Sequence, residues 1–324
     1  MTGRRPSEGL AILLLVAAVP LATQSPYHLT VAGLALIFAI VAQGANLVMG
    51  VAGQASFAHS AFFGLGAYTT AVLSGRYGLS LVATLPVSLV VCFVVGFLLA
   101  YPALRVRGFY LALVTLAVSE IFTSVISQLP GVLGGAEGIV DVPSFGLGGW
   151  VAEGRLTKYY VIWIGAVVAS VSLERLLASQ FGRVARGIRD SEVGATSVGI
   201  NLTRAKTQVF AVAGVYMGFA GFLYAHFMQY VSPGAFGLNT TILVVSMIVV
   251  GGMGDMTGAL VGALVLSLLP QWLRDYVGLE PVFFGGLLVL ILLVLPEGLV
   301  PVVRRTLRSS LGRAPGAPGG CVAV

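Results

Sequence analysis

Residues 29–49 read LTVAGLALIFAIVAQGANLVM, and no Asp, Glu, Lys or Arg interrupts the longer stretch between Glu8 and Arg76. A helix needs about 20 largely apolar residues to cross the hydrocarbon core of a bilayer, so this stretch holds more than one span. Further uncharged runs follow at Gly108–Ser119, Thr207–Gly254, Met256–Leu273 and Pro281–Pro296. Across all 324 residues, 57% are hydrophobic and 9% are charged, whereas a soluble domain carries about 25% charged residues to cover its surface. Lipid accepts that apolar surface without cost, and the expected fold class is an all-α polytopic membrane protein.

The runs place helices at Leu10–Thr23, Leu29–Met49, Ser56–Leu73, Leu79–Ala100, Gly108–Ser127, Lys158–Ala178 and Gln208–Gln229. A pair broken by glycines follows at Thr241–Gly251 and Thr257–Pro270, then a last helix at Val282–Leu295. The total is about 8–10 transmembrane helices, the broken pair included. Arg4 and Arg5 before a short apolar run resemble a signal peptide, but Pro20-Leu21-Ala22 is a poor small-x-small cleavage site, so the first helix is expected to be retained.

Charge sets the orientation. With the N-terminus inside, Arg4, Arg5, Arg105, Arg107, Arg175, Arg183, Arg186, Arg189, Arg204, Lys206, Arg304, Arg305, Arg308 and Arg313 are cytoplasmic; only Arg76, Arg155, Lys158 and Arg274 lie outside. The same bias requires Thr241–Pro270 to return to the side it left, as a re-entrant or short helical hairpin. Such backbone is tolerated only where protein or a water-filled cavity satisfies it. Residues 1–300 thus form one transmembrane domain with a periplasmic loop at 128–157 and a cytoplasmic loop at 179–207. A basic cytoplasmic tail at 301–324 is expected to be disordered.

The net charge of +6 does not indicate nucleic acid, because the cations sit in short loops flanking spans. Cys92 and Cys321 form neither a ligand cluster nor a disulfide framework, and Cys92 reads as a small packing residue. His59 and His226 stand alone, so no metal site is expected. No catalytic nucleophile cluster is present. The Gly-x-x-x-x-Gly-Lys-Ser/Thr box is missing and the only lysines are Lys158 and Lys206, so the chain has no P-loop, no enzyme activity of its own and no cofactor.

Four features carry chemistry. Gly50–Ser60 places glycine, amide, hydroxyl and imidazole between apolar helices, which suits either a hydrogen-bonded helix contact or a solute path; the candidate path residues are Gln54, Ser56, His59 and Ser60. Gly64, Gly66 and Ala67 continue a small-residue face. Gly251, Gly252, Gly254 and Asp255 form the second break, since discontinuous helices often border transporter substrate sites; an exposed turn is the other reading of Asp255. Glu120 is the acidic residue well within the Gly108–Ser127 span, about two turns from its outer end. Finally, residues 180–207 bring five cations and two acids onto a short segment with apolar residues between them. Val184, Ile188 and Ala195 are expected on one helical face, with Asp190 and Glu192 near a helix start. That segment is either a surface-lying amphipathic loop or a docking element built on Arg183, Arg186, Gly187, Arg189, Asp190, Glu192, Gly194, Ala195, Gly199 and Asn201.

The segments Arg186–Glu192 and Gly199–Asn201 resemble the cytoplasmic loop of branched-chain amino-acid ABC permeases. So do Gly53–His59, Phe62–Tyr68, Phe109–Ala117, Val250–Gly254 and Leu295–Leu299, in order along the chain, closest to the M-type subunit. Ala55 and Ala58 depart from the pattern, where many members carry Leu or Ser and Gly. The resemblance implies an alternating-access importer in the bacterial inner membrane, for branched-chain or related amino acids. Its implied partners are a related H-type permease, two ATPase subunits that bind the ATP, and a periplasmic binding protein. It further implies that the 179–207 loop is the coupling element. A permease for urea or short amides is the alternative, and a secondary carrier or channel is disfavoured by the scarcity of buried ionisable groups beyond Glu120 and Asp255.

Overall fold

Inside hydrocarbon every backbone N–H and C=O must find a partner within the chain, and the apolar runs accordingly form helices. The computed structural model describes residues 7–22, 25–103, 108–147, 150–152, 154–272, 285–286 and 298–310. In chain order the helices are α1 (Ser7–Ala17), α2 (Pro26–Asn46), α3 (His59–Ala71), α4 (Leu81–Ala103), α5 (Phe109–Ser127) and α6 (Arg155–Ala178). They continue with α7 (Gln180–Asp190), α8 (Glu192–Ser197), α9 (Leu202–Met228), α10 (Leu238–Gly251), α11 (Met256–Trp272) and α12 (Leu299–Ser310). Single π-helical turns extend α2 over Leu47–Val51 and α3 over Val72–Arg76.

Among the described residues, six segments are long and apolar enough to span a bilayer: Pro26–Val51, Leu81–Ala100, Phe109–Ser127, Arg155–Ala178, Leu202–Met228 and Pro233–Gly251. Glu8–Ala17 and Met256–Leu269 are shorter apolar helices. The chain is therefore an all-α multi-pass membrane protein. Its minor β content is an antiparallel hairpin of two-residue strands, β1 (Gly146–Leu147) and β2 (Trp150–Val151), between α5 and α6. Of the expected helix Val282–Leu295, residues 285–286 are described and helical, and the rest lies outside the described residues.

The long central helix α9 runs against α2, α3 and α4. Small residues let the backbones meet. A Cβ added to Gly66 would lie 2.2 Å from the carbonyl oxygen of Gly218, and one on Gly221 would lie 2.2 Å from that of Phe63. Cys92 fills the remaining space beside Gly218, buried as a packing residue. With no hydrophobic drive between helices in lipid, such close contacts supply the association through dispersion. One end of this seam is filled by Phe63, Tyr68, Tyr224 and Phe236, ring edge against ring face.

Three boundaries differ from the sequence expectation, each for a local reason. The first helix breaks at Ala18 and does not run unbroken to Thr23. Pro20 has no N–H for the Val16 carbonyl, which instead accepts the Tyr159 hydroxyl at 2.6 Å, while Trp163 Nε1 donates to Leu13 at 2.7 Å. Helix α3 starts at His59 and not at Ser56. The Phe57 N–H donates to Thr115 Oγ1 at 2.8 Å and its carbonyl accepts from Ser119 Oγ at 2.9 Å, so α5 satisfies the backbone that a further helical turn would have used. The tail does not become irregular at 301. α12 continues to Ser310, pinned by Arg304, which reaches both Glu8 and Asp255 at 2.5 Å; residues 311–324 are not among those described.

The glycine-broken pair is a hairpin. Gly251 abuts the Gly258 carbonyl and Gly262 abuts that of Met247, a register that only antiparallel legs give. Its first leg is longer than the expected Thr241–Gly251, because a 3₁₀ turn at Pro233–Phe236 leads straight into α10.

Candidate functional site

The two breaks, some 200 residues apart in sequence, meet at one end of the bundle. The Asn46 side chain joins them: its Oδ1 accepts from the Gly254 N–H at 2.9 Å and its Nδ2 donates to the Asp255 carbonyl at 3.0 Å. Asn46 is wholly buried at the last turn of α2, where a side chain that both donates and accepts can replace the backbone partners a broken helix lacks. Gly50 and Gly254 approach backbone to backbone, for a Cβ on Gly50 would meet the Gly254 nitrogen at 2.3 Å.

Onto this junction comes Arg189 from the last turn of α7. Its guanidinium donates to the Gly50 carbonyl, lies against Gly254, and its aliphatic stem covers Gly53. The residue expected to act at a distant docking surface thus touches both breaks. Asp255 completes the cluster. Its Oδ1 caps α11 through the Thr257 N–H at 3.0 Å, and its Oδ2 pairs with Arg304. Gly251 and Gly252 are buried, with Gly252 at φ 118° held against Gly298, so both serve close packing.

The other path candidates lie near the first break. Ser60 is fully buried and shares a hydrogen bond of 2.7 Å with Thr241 on α10. His59 is buried with Nε2 3.2 Å from Met49 Sδ, and Ser56 Oγ accepts from the Ala58 N–H at 3.4 Å. Gln54 differs from all of these: it is 95% buried, yet neither Oε1 nor Nε2 has a hydrogen-bond partner among the described residues. An unsatisfied buried amide costs about 1–3 kcal/mol, and such a group persists where water or a solute serves it.

The loop at 180–207 forms two helices set apart by Ser191, whose extended backbone (φ −161°) ends α7 and whose Oγ accepts from the Gly194 N–H to cap α8. Asp190 closes α7 and directly precedes the Ser191 cap of α8, while Glu192 opens α8 and pairs with Lys206 at 2.6 Å. Val184, Ile188 and Ala195 do pack together, but from two helices and turned inward. Ile188 and Ala195 turn inward, buried with Ala205 beneath Val184, Ile200 and Leu202. The residues presented outward are Val193 and Val198, 77% and 75% exposed. Arg186 folds back onto the Leu177 carbonyl at 2.8 Å and Arg183 onto Ala178 at 3.3 Å. Asn201 caps α9 through the Arg204 N–H at 3.0 Å, and the Cβ positions of Gly187 and Gly199 face open space. Behind α7 a cleft of about 530 Å³ opens toward α4 and α9, lined by Phe93, Phe181, Val184, Ala185, Gln208 and Val212.

Neither Asn46 nor Arg304 was singled out from the sequence as a site residue. An asparagine four residues before a glycine, deep in an apolar run, is the signal that marks the first.

A model of the family described as branched-chain amino acid transport system, permease component, matches residues 27–295. The chain belongs to this family. The high-affinity branched-chain amino acid transport permease LivM of Salmonella typhimurium is 32% identical, over 95% of this chain and 77% of that protein. LivM of Escherichia coli K12 is also 32% identical, over 94% and 78%. LivH of the same organism is 27% identical, over 81% of this chain and 91% of its own. The chain is thus LivM-like, in line with the M-type resemblance. No solved structure matches it. Among the described residues no group of three or more His, Cys, Asp or Glu is placed to hold a metal ion.

Proposed function

We propose that this permease is the M-type half of an ABC importer for branched-chain or related amino acids, driven by ATP hydrolysis on partner subunits. The partners in this reading are an H-type permease, two ATPases docked on α7 and α8, and a periplasmic binding protein that delivers the solute. Both termini and the 179–207 loop are then cytoplasmic, in keeping with the excess of arginine there.

The observation that carries the reading is the reach of Arg189 from α7 to Gly50 and Gly254. An alternating-access permease has to convert movement of its ATPases into movement of its helices. A helix that adjoins Val193 on α8 and Val198 just past its end, and that grips both helix breaks with its own last turn, is built for that. Exposed ion pairs contribute only about 0–1 kcal/mol each, so the valines are the anchors and Asp190 is a rim contact.

The test is Val193→Asp with Val198→Asp in the reconstituted complex. Loss of ATPase co-purification, with the permease pair still inserted and paired, is the expected result. Normal co-purification and normal substrate-stimulated hydrolysis would assign α8 to the membrane surface. Uptake by this chain alone under a proton gradient would place it among secondary carriers. Uptake of leucine set against urea distinguishes the amino-acid reading from its amide alternative.

A further inference from the structure

Glu120 lies on α5, eleven residues from Phe109 and seven from Ser127, hence roughly 16 Å and 10 Å from the two helix ends. That depth is within the hydrocarbon of a bilayer about 30 Å thick. The side chain is exposed, and its carboxylate has no partner among the described residues. On the same face stand Leu113, Ala117, Ser124 and Gln128, all exposed, at the spacings that stack residues along a helix. The exposed side of α5 also carries Phe109, Tyr110, Val114, Ile121 and Val125, and that of the neighbouring α4 carries Val82, Val90, Phe93, Val94, Phe97 and Leu98; what sets α5 apart is Glu120. The α4 face suits lipid. The strip of α5 around Glu120 does not, because an ionisable group at membrane depth is costly against hydrocarbon and belongs against protein or water.

The bundle interior offers that water no room where α3 and α9 meet backbone to backbone and the rings of Phe63, Tyr68, Tyr224 and Phe236 fill the seam. Meanwhile the residue beside Glu120, Ser119, holds the Phe57 carbonyl in the first break, the loop that Arg189 grips at Gly50 and Gly53.

We infer that the α5 face carrying Ala117, Glu120 and Ser124 lines the aqueous solute path on the outside of this chain, with the Glu120 carboxylate attracting the α-ammonium group of a zwitterionic amino acid. The inference rests on the permease reading above and adds to it the wall of the path and its charge. A mobile zwitterion needs an attractive site that it can also leave, and one carboxylate beside small residues provides it.

The experiment uses the complete transporter in membranes, with Cys92→Ala and Cys321→Ser removing the native thiols. Ala117→Cys and Ser124→Cys are treated with water-soluble thiosulfonate reagents of equal size, one bearing an ammonium and the other a sulfonate, beside Val90→Cys on α4. Labelling at 117 and 124 but not at 90 is expected, with the ammonium reagent about tenfold faster, as for a charged cleft that concentrates its counter-ion. Glu120→Gln should erase that preference and raise the KM for leucine about tenfold while ATP hydrolysis persists. Unreactive thiols at 117 and 124 would mean lipid or a dry protein contact and overturn the inference, as would an unchanged reagent preference in Glu120→Gln. Leucine uptake by the parent complex is measured in parallel. If the parent transports and the face stays dry, only this inference falls; if the parent does not transport, the permease reading falls with it.

Discussion

Arg189→Ala removes the one contact through which α7 holds the Gly50 carbonyl. Gly50 is buried, so the lost partner is a charge-assisted hydrogen bond to a carbonyl that water does not readily reach. Such bonds contribute about 1.5–3 kcal/mol. Arg189 itself is exposed, so its own desolvation takes little from that figure. If α7 carries the motion of the ATPases, the energy lost is coupling energy, and about 1–3 kcal/mol corresponds to a 5–150-fold change between linked sites. The fold should survive, because Ile188 and Ala185 still bury α7 against its neighbours and Arg186 still holds Leu177. The assay is leucine uptake per ATP hydrolysed in proteoliposomes, beside thermal unfolding of the purified complex. Basal hydrolysis is expected to remain while the stimulation by loaded binding protein and the uptake both fall at least fivefold. Arg189→Lys, which keeps the charge but shortens the reach, should recover part of the loss. Full uptake per ATP in the alanine variant would refute the transmission argument, and a large drop in unfolding temperature would reduce Arg189 to a structural contact.

Gly66→Ala sets a Cβ 2.2 Å from the Gly218 carbonyl, so α3 and α9 must part; a loss of about 1–3 kcal/mol or more is expected in thermal unfolding, whereas Gly187→Ala, inside α7 with nothing within 4 Å, should gain about 0.5–1 kcal/mol. Gln54→Met replaces an unsatisfied buried amide with an apolar group of similar length; thermal stability should hold or rise by about 1 kcal/mol while leucine uptake falls, and undiminished uptake would leave Gln54 without a transport role. Asp255→Asn keeps a cap for α11 but removes the pair with Arg304; the half-buried geometry argues for a loss near 1 kcal/mol, read as reduced protection of α12 from proteolysis. Val140→Cys and Ser232→Cys lie on loops joined by the Ile139–Val231 bridge and should label together from outside, with Val193→Cys labelling only after the membrane is permeabilised.

The charge gaps alone determined that the chain lives in a bilayer and which runs are apolar enough to form its long helices, although of the expected spans Ser56–Leu73 is not among the six long enough to cross. These are properties of composition along one dimension: hydrocarbon excludes charge, and backbone polarity forces each apolar run into a helix. The hairpin at 251–255 was legible for the same reason, since charge parity demanded a return. The junction was not legible. Asn46, Arg189, Gly254 and Arg304 are scattered over some 260 residues, and only the fold brings them within hydrogen-bonding reach. Nor could helical periodicity decide which apolar residues of the 180–207 loop face outward. Spacing put Val184, Ile188 and Ala195 together, and they do pack in one cluster, but it faces inward from two helices parted at Ser191, which leaves Val193 and Val198 at the surface. Glu120 shows both sides of this division. The sequence placed a carboxylate well within an apolar run, and the structure decided that it points away from the bundle.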